Sequence, residues 1–316
     1  MMIGFDIGGT KCAVSIGKEI NGILQIEKKE SIPTDLSVSP LEMLERLCLL
    51  AEKMTSEFDA IGISCGGPLN TVTGEILSPP NLPGWDEVKV VDFFKERYHC
   101  PVILQNDANA CALAEFRYGA GKGCRNMVFL TFGTGLGAGL ILDGKLYDGA
   151  CGMAGEAGHI RLAPFGPVGY GKAGSFEGFC SGGGLKQLGQ TYARERLQMG
   201  KTVSFCKSMD QLEQISAKTI AECANEGHED AREVYSICGE MLGRGLSVLI
   251  DILNPDRIVL GSIFCRCEEL LTPSMNRVLA TETLKQSREA CRVVPAILGE
   301  QIGDYAALTL AAEALR

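Results

Sequence analysis

The sequence predicts an α/β chain built from two similar domains, and three observations carry that reading. Strand patterns alternate with helical ones along most of the chain. At 316 residues it exceeds the roughly 250 to 300 at which a single hydrophobic core stops growing. Third, "IGFDIGGTKCAVSI" from residue 3 aligns with "VFLTFGTGLGAGLI" from residue 128, setting Gly8 against Gly133 and Asp6 against Thr131. Self-similarity at so long a spacing means two related domains, each presenting a glycine-rich turn, and not a solenoid of short units.

The elements follow in order. Residues 2–7, 11–17 and 22–31 read as hairpin strands, with "GKEING" as the turn between the last two. "SPLEMLERLCLLAEKMTSEF" has helical spacing after Ser39 as cap and Pro40 at the first position. "AIGISC" is a strand, "VVDFFKERY" a helix, "PVILQ" a strand, and a helix starts at Ala108 with Asp107 as its cap. From about Ser181 the chain turns helical, and "DAREVYSICGEMLGRGLSVLIDILN" ends near Asn254 and Pro255. "RIVLG" and "CRVVPAILG" are strands, and "DYAALTLAAEALR" is a closing helix. Residues 148–180 form a Gly-rich stretch with little regular pattern, and a loop of that length in a compact domain is usually functional. The domains expected are 1–118, joined by the closing helix 302–316, and 119–301.

A net charge of -9 argues against a nucleic-acid partner, which needs a positive surface field. No run approaches 18 apolar residues and no charged leader precedes the first strand, so no membrane association and a cytoplasmic location are expected. Most of the 14 cysteines, such as Cys12, Cys48, Cys65, Cys111, Cys223 and Cys238, sit in apolar patterns as small buried hydrophobes. Cys265 and Cys267 are the only close pair, with no second pair near them in sequence, which is weak evidence for metal.

Clustered backbone N–H groups in a tight turn form a concave anion site, and glycine lets a phosphate approach without a Cβ in the way. Asp6 and Lys11 bracket the first turn, an acid suited to a magnesium-bound water and a cation suited to phosphate; Thr10, Thr131 and Thr134 add hydroxyls. "GGTK" lacks the spacing of a Walker motif and leads into a strand, and it is no dinucleotide fingerprint either. Either turn alone also suits a plain hairpin. Found twice at corresponding places, they favour a polyphosphate held from two sides.

"DIGGTK", "GISCGGPLN", "PPNLPGW", "QNDANACALAE", "LTFGTGLGAGLILDGKL" and "GEAGHI" resemble, in order, the motifs of the ROK family (repressors, open reading frames and sugar kinases). The resemblance covers essentially the whole chain and implies an actin-like, or ribonuclease H-like, duplicated fold around a nucleotide and sugar cleft. It implies ATP with Mg2+ as phosphoryl donor and a sugar 6-hydroxyl as acceptor. Deprotonating that hydroxyl requires a carboxylate, and Asp107 matches the family's catalytic aspartate. By the same resemblance Gly8, Gly9, Thr10, Lys11, Thr131, Gly133, Thr134, Gly135 and Gly261, with Asp6, contact the nucleotide. Asn81, Asn106, Glu156, His159 and Glu177 line the sugar pocket, with Gly66 and Gly67 approaching through backbone.

Two departures stand out. Family members carry three cysteines after the histidine that bind a structural zinc with it; here Val168, Tyr170 and Ser175 replace them. No thiolate remains, so no structural zinc is expected, and the loop is expected to be held by packing of Tyr170 and Phe176. Ser262 follows Gly261 where a second glycine is common. Repressors of the family carry a helix-turn-helix ahead of "DIGGTK", where this chain has only a few residues, and a catalytically silent sugar-binding regulator would be expected to lose Asp107 or Asp6. An ATP-dependent sugar kinase is therefore the expectation, with glucose as default and N-acetylmannosamine, fructose or allose as alternatives. The family implies a homodimer or homotetramer.

Overall fold

The computed structural model describes residues 1–316. They form two compact units: 1–124, 139–154 and 297–316 make the first, and 125–138 with 155–296 make the second. The first sheet contains β1 (Met2–Ile7), β2 (Lys11–Ile20), β3 (Ile23–Pro33), β4 (Ala60–Cys65) and β5 (Val102–Asn106), in the spatial order β3-β2-β1-β4-β5. The second contains β6 (Met127–Phe132), β7 (Leu136–Leu142), β8 (Lys145–Leu146), β9 (Arg257–Leu260) and β10 (Arg292–Pro295), in the order β8-β7-β6-β9-β10. Each sheet is an antiparallel ribbon continued by two parallel strands, so the repeat read from the glycine turns extends to whole sheets. The hairpin from β2 to β3 is tighter than the sequence suggests. β2 runs on to Ile20, and Asn21 and Gly22, at φ 53° and 74°, alone make the turn, as a type I′ hairpin requires.

The longer helices are α1 (Pro40–Met54), α2 (Val90–Tyr98), α3 (Asp107–Tyr118), α4 (Gly182–Gln198), α5 (Ala217–Asn225), α6 (Glu229–Leu253), α7 (Ile263–Glu282) and α8 (Ile302–Glu313). Ser39 caps α1 by accepting from the Glu42 N–H at 3.2 Å, with Pro40 in the first turn as read. Asn254 ends α6 in the left-handed conformation that Asn tolerates. No helix is long and apolar enough to cross a membrane.

Strand alternation decides what the first sheet shows on each side. Ile3, Phe5 and Ile7 with Ile61, Ile63 and Cys65 face the core that Met43, Leu44 and Leu47 of α1 and Phe94 of α2 complete. Met2, Gly4 and Asp6 of β1, and Ala60, Gly62 and Ser64 of β4, fall on the other face, with Gly4 directly beside Gly62. The closing helix α8 lies there. A Cβ on Gly62 would overlap the Ala307 carbonyl oxygen and stand 2.5 Å from the Ala311 nitrogen; one on Gly4 would stand 2.7 Å from Ala307 Cβ. The helix answers with small residues: Ala306, Ala307, Ala311 and Ala312 are all buried.

The first unit takes in residues 139–154, which the sequence assigns to the second domain. Gly139 has the same kind of cause, because a Cβ there would come 2.5 Å from Ala112 Cβ of α3. Glu115 of α3, fully buried, accepts backbone N–H bonds from Ala120 (2.6 Å), Ile297 (3.1 Å) and Leu298 (3.0 Å). Burial raises its pKa and those three donors pull it back. Gly62→Ala is expected to lower the unfolding free energy by about 3 kcal/mol through overpacking. Gly66→Ala, where a Cβ meets nothing within 4 Å, is expected to leave it unchanged or slightly higher; urea unfolding of both variants checks the contrast.

Candidate active site

Asp6, at the end of β1, lies on the face that receives α8, and a Cβ on Gly303 would sit 2.9 Å from its Oδ2. The next residue, Asp304, is 2% exposed; its Oδ1 accepts from Ser15 Oγ at 2.7 Å and its Oδ2 pairs with Lys29 Nζ at 2.6 Å. Burial, then the charges of Asp107 and Asp304, push the Asp6 pKa up to about 6, against the pull of Lys29 and Lys11. A half-buried acid with two others near it is a place where a cation is favoured.

The turn after Asp6 is tied down by Thr34, whose Oγ1 donates to the Gly8 carbonyl at 2.5 Å and whose N–H donates to the Thr10 carbonyl at 3.0 Å. Thr10 and Lys11 are exposed. Gly9 is glycine for a reason other than phosphate access. A Cβ there would overlap the Asn81 carbonyl oxygen and come 2.7 Å from Asn81 Cβ, so the turn abuts the backbone of a residue read as sugar-binding.

Asp107 sits where β5 passes into α3. The cap is Asn106, not Asp107: Asn106 Oδ1 accepts from the Ala108 N–H at 3.0 Å, and the helix begins at Asp107 itself. Asp107 Oδ1 also lies 2.8 Å from that N–H. Its side chain has access to solvent, yet the protein packed around it raises its pKa by desolvation, with the Ala108 N–H opposing. A Cβ on Gly67 would stand 3.3 Å from Asn106 Nδ2, so the 66–67 backbone faces the residue before the proposed base.

In the second unit the turn 133–135 joins β6 to β7. Thr131 does not offer a free hydroxyl, because its Oγ1 accepts from the Gly137 N–H at 2.9 Å and lies 3.4 Å from the Gly137 carbonyl oxygen. Thr134 is exposed. Glu177 accepts from the Leu136 N–H at 3.1 Å, and a Cβ on Gly135 would stand 2.7 Å from the same oxygen, which brings a sugar-pocket candidate against a nucleotide turn. Glu156 and His159 are exposed, the one just before a short 3-10 turn and the other its last residue, and the His159 ring meets Tyr170 edge-on at 5.3 Å. Gly261 ends β9, donating to the Leu130 carbonyl at 2.9 Å. Ser262 has φ 54° and ψ -110°, a glycine conformation held by a serine, and its Oγ is 3.6 Å from where a Gly133 Cβ would lie.

The segment without cysteines is a hairpin, Val168–Gly169 against Lys172–Ala173, turning at Tyr170 and Gly171. Ser175 is buried and caps the helical turn 176–179, accepting from the Gly178 N–H at 3.0 Å. The Gln187 side-chain amide clamps Val168, accepting from its N–H at 2.8 Å and donating to its carbonyl at 2.9 Å. Phe176 is fully buried, but Tyr170 is 71% exposed, so packing holds the loop at only one of the two aromatics expected. Sequence reading missed Asp304, Lys29, Gln187 and Asp148. A charge set among the alanines of an apolar closing helix is the one signal that pointed to Asp304.

Two five-stranded α/β sheets of identical strand order, each with a glycine turn at its first hairpin, define the actin-like class of fold. The chain belongs to the ROK family, whose model matches residues 2–314. It is 30% identical over 317 residues to a glucokinase of Streptomyces coelicolor, covering 99% of this chain and 98% of that one. It is 31% identical over 260 residues to an N-acetylmannosamine kinase of Salmonella typhi, covering 82% and 81%. A solved ROK glucokinase from Streptomyces griseus, in complex with glucose and AMPPNP, superposes with a TM-score of 0.77 at 28% identity, covering 99% of both chains.

Because the folded Asp6 pKa stands above its ordinary 3.8, ionising it lowers stability: the penalty is absent below about pH 4 and complete above about pH 6. Asp6→Asn is therefore expected to stabilise the ligand-free protein by about 2 to 3 kcal/mol at pH 8. The gain should fade as pH drops through 6 towards 4, read by urea unfolding across that range.

Proposed function

We propose that the protein is an ATP-dependent kinase for the 6-hydroxyl of a hexose, with glucose as the default acceptor and N-acetylmannosamine as the alternative. One observation carries the reading. Asp6 and Asp107 stand at the carboxyl ends of two strands of one sheet, beside a glycine turn and close enough that the charge of one raises the pKa of the other. Substrates of open α/β sheets bind outside such strand ends. The relatives favour a sugar acceptor, and the AMPPNP bound to one of them favours ATP.

In this reading Asp107 accepts the proton of the sugar hydroxyl as it attacks the γ-phosphate. A raised pKa suits a general base, whose strength must approach that of its task. Asn106, Asn81 and the Gly66–Gly67 backbone of the first unit orient the sugar, as do Glu156, His159 and Glu177 of the second. The Gly8–Thr10 turn with Lys11, and the Gly133–Gly135 turn with Thr134 and Gly261, hold phosphates by backbone N–H groups, hydroxyls and one cation. Asp6 would hold the magnesium of the substrate through water, which supplies charge neutralisation at the phosphates.

A structural zinc does not fit residues 168–175. The valine and tyrosine at two ligand positions are exposed and without ligating atoms suited to zinc, and the serine at the third already caps a helix turn. Hydrogen bonds from Gln187 and Ser175 take over its structural work. Purified protein is expected to carry no stoichiometric zinc by elemental analysis, and a strong chelator should leave its melting temperature unchanged; one tightly held equivalent would refute this.

The deciding experiment is a coupled assay of ADP release with magnesium and ATP across glucose, N-acetylmannosamine, N-acetylglucosamine, fructose, mannose and allose. Strong turnover on one sugar is expected, and Asp107→Asn should cut its kcat by about 10³-fold while calorimetry shows sugar binding retained. Silence on every sugar, with tight sugar binding, would replace the kinase by a catalytically silent regulator.

A further inference from the structure

Asp148, two residues beyond β8, belongs to no motif of the sequence and has no part in the chemistry above. Its carboxylate nonetheless gathers two side-chain amides, Gln105 and Asn109, that stand two residues before and two after the proposed base. Gln105 Nε2 donates to Oδ2 at 3.2 Å and lies 3.4 Å from Oδ1, and Asn109 Nδ2 donates to Oδ1 at 3.2 Å. Gln105 and Asn109 are 6% and 2% exposed, so neither amide has water to fall back on. The other end of the Gln105 amide points back at the main chain: its Oε1 accepts from the Asn106 N–H at 2.7 Å and from Asn109 Nδ2 at 3.3 Å.

We propose that Asp148 is a positioning residue: acting through Gln105 and Asn109, it fixes the strand-to-helix corner from which Asp107 projects. The three side chains form a closed triangle of hydrogen bonds. Its charged vertex decides which way the Gln105 amide faces, since a carboxylate accepts only, and charge-assisted bonds are roughly twice as strong as neutral ones. With the Gln105 nitrogen held by Asp148, its oxygen is left for the N–H of Asn106, the residue immediately before Asp107. Remove the carboxylate and a buried amide donor loses its partner, so the amide turns or the corner shifts. Asp148 also accepts from the Ala154 N–H through its own carbonyl at 3.0 Å, closing the turn from which the chain continues to Glu156. One residue thereby ties the corner of the base to the 148–154 turn. The kinetic part of the inference rests on Asp107 being the base; the structural part does not.

The test uses the full chain with Asp148→Ala, Asp148→Asn, Gln105→Leu and the double variant Asp148→Ala/Gln105→Leu. On the sugar the parent protein turns over best, Asp148→Ala is expected to lower kcat about 10- to 100-fold with both KM values within about twofold, the pattern of a misplaced base. Asp148→Asn, which keeps an acceptor oxygen at the same reach, should lose less than about fivefold. The double variant should be no worse than Asp148→Ala, because the two residues act as one unit. Unchanged kcat in Asp148→Ala, or losses that multiply in the double variant, would overturn the proposal. Hydrogen exchange of the peptide spanning residues 102–112 is read on the same samples without turnover. Faster exchange at the Asn106 and Ala108 amides in Asp148→Ala is expected, and unchanged exchange refutes the positioning role even if the kinase reading stands. Should the parent protein phosphorylate no sugar, the kinase reading fails on its own and exchange alone decides whether Asp148 holds the corner.

Discussion

The first unit depends on the absence of two side chains. Gly4 and Gly62 lie side by side on adjacent parallel strands, and the closing helix rests on them at a distance no Cβ would permit. Such close approach gives the helix a fixed height above the sheet, and height fixes where its first turn ends. That turn delivers Gly303 to Asp6 and places the Asp304 carboxylate between Ser15 and Lys29. The helix is thus both a piece of core and part of the wall behind Asp6, although it is remote from it in sequence.

That wall makes the electrostatics of the site unfavourable in the absence of ligand. Asp6 is half-buried, with two acids near it only partly offset by lysines, and Asp107 is raised as well. A fold optimised for stability alone would not keep both ionised so near each other. Sites that bind cations and manage protons commonly carry such strain, and its relief on binding contributes to affinity. Elsewhere the same protein satisfies its buried carboxylates fully, as Glu115 shows with three backbone N–H groups, so the exception at Asp6 is local.

Much of this was legible from residue patterns because the signals were short-range. Strand alternation, the Ser39–Pro40 helix start, the Asn254 stop and the paired glycine turns are all written within a few residues of where they act. The duplication was readable because Gly8 and Gly133 recur in like surroundings. What escaped depended on partners far apart in the chain. Asn106 takes the cap because its backbone is still extended where that of Asp107 is already helical, although the side-chain oxygens of both reach the Ala108 N–H, a choice between neighbours that composition does not make. Thr131 looked like a free hydroxyl until the ladder beside it engaged it with Gly137. Tyr170 looked like a core aromatic but lies at the tip of a two-residue turn, which has no interior to offer.

The contact between Gly9 and Asn81 has a bearing on how such a protein can change over evolutionary time. A turn read as gripping phosphate and a loop read as selecting the sugar share one van der Waals surface, backbone against backbone. Backbone contacts cannot be retuned by swapping side chains, so insertions or shifts in the 79–85 loop would disturb the donor's seat along with the acceptor's. If the proposed function holds, drift towards a new sugar would be channelled away from that loop and into exposed side chains such as Glu156 and His159, which make no part of the Gly9–Asn81 contact.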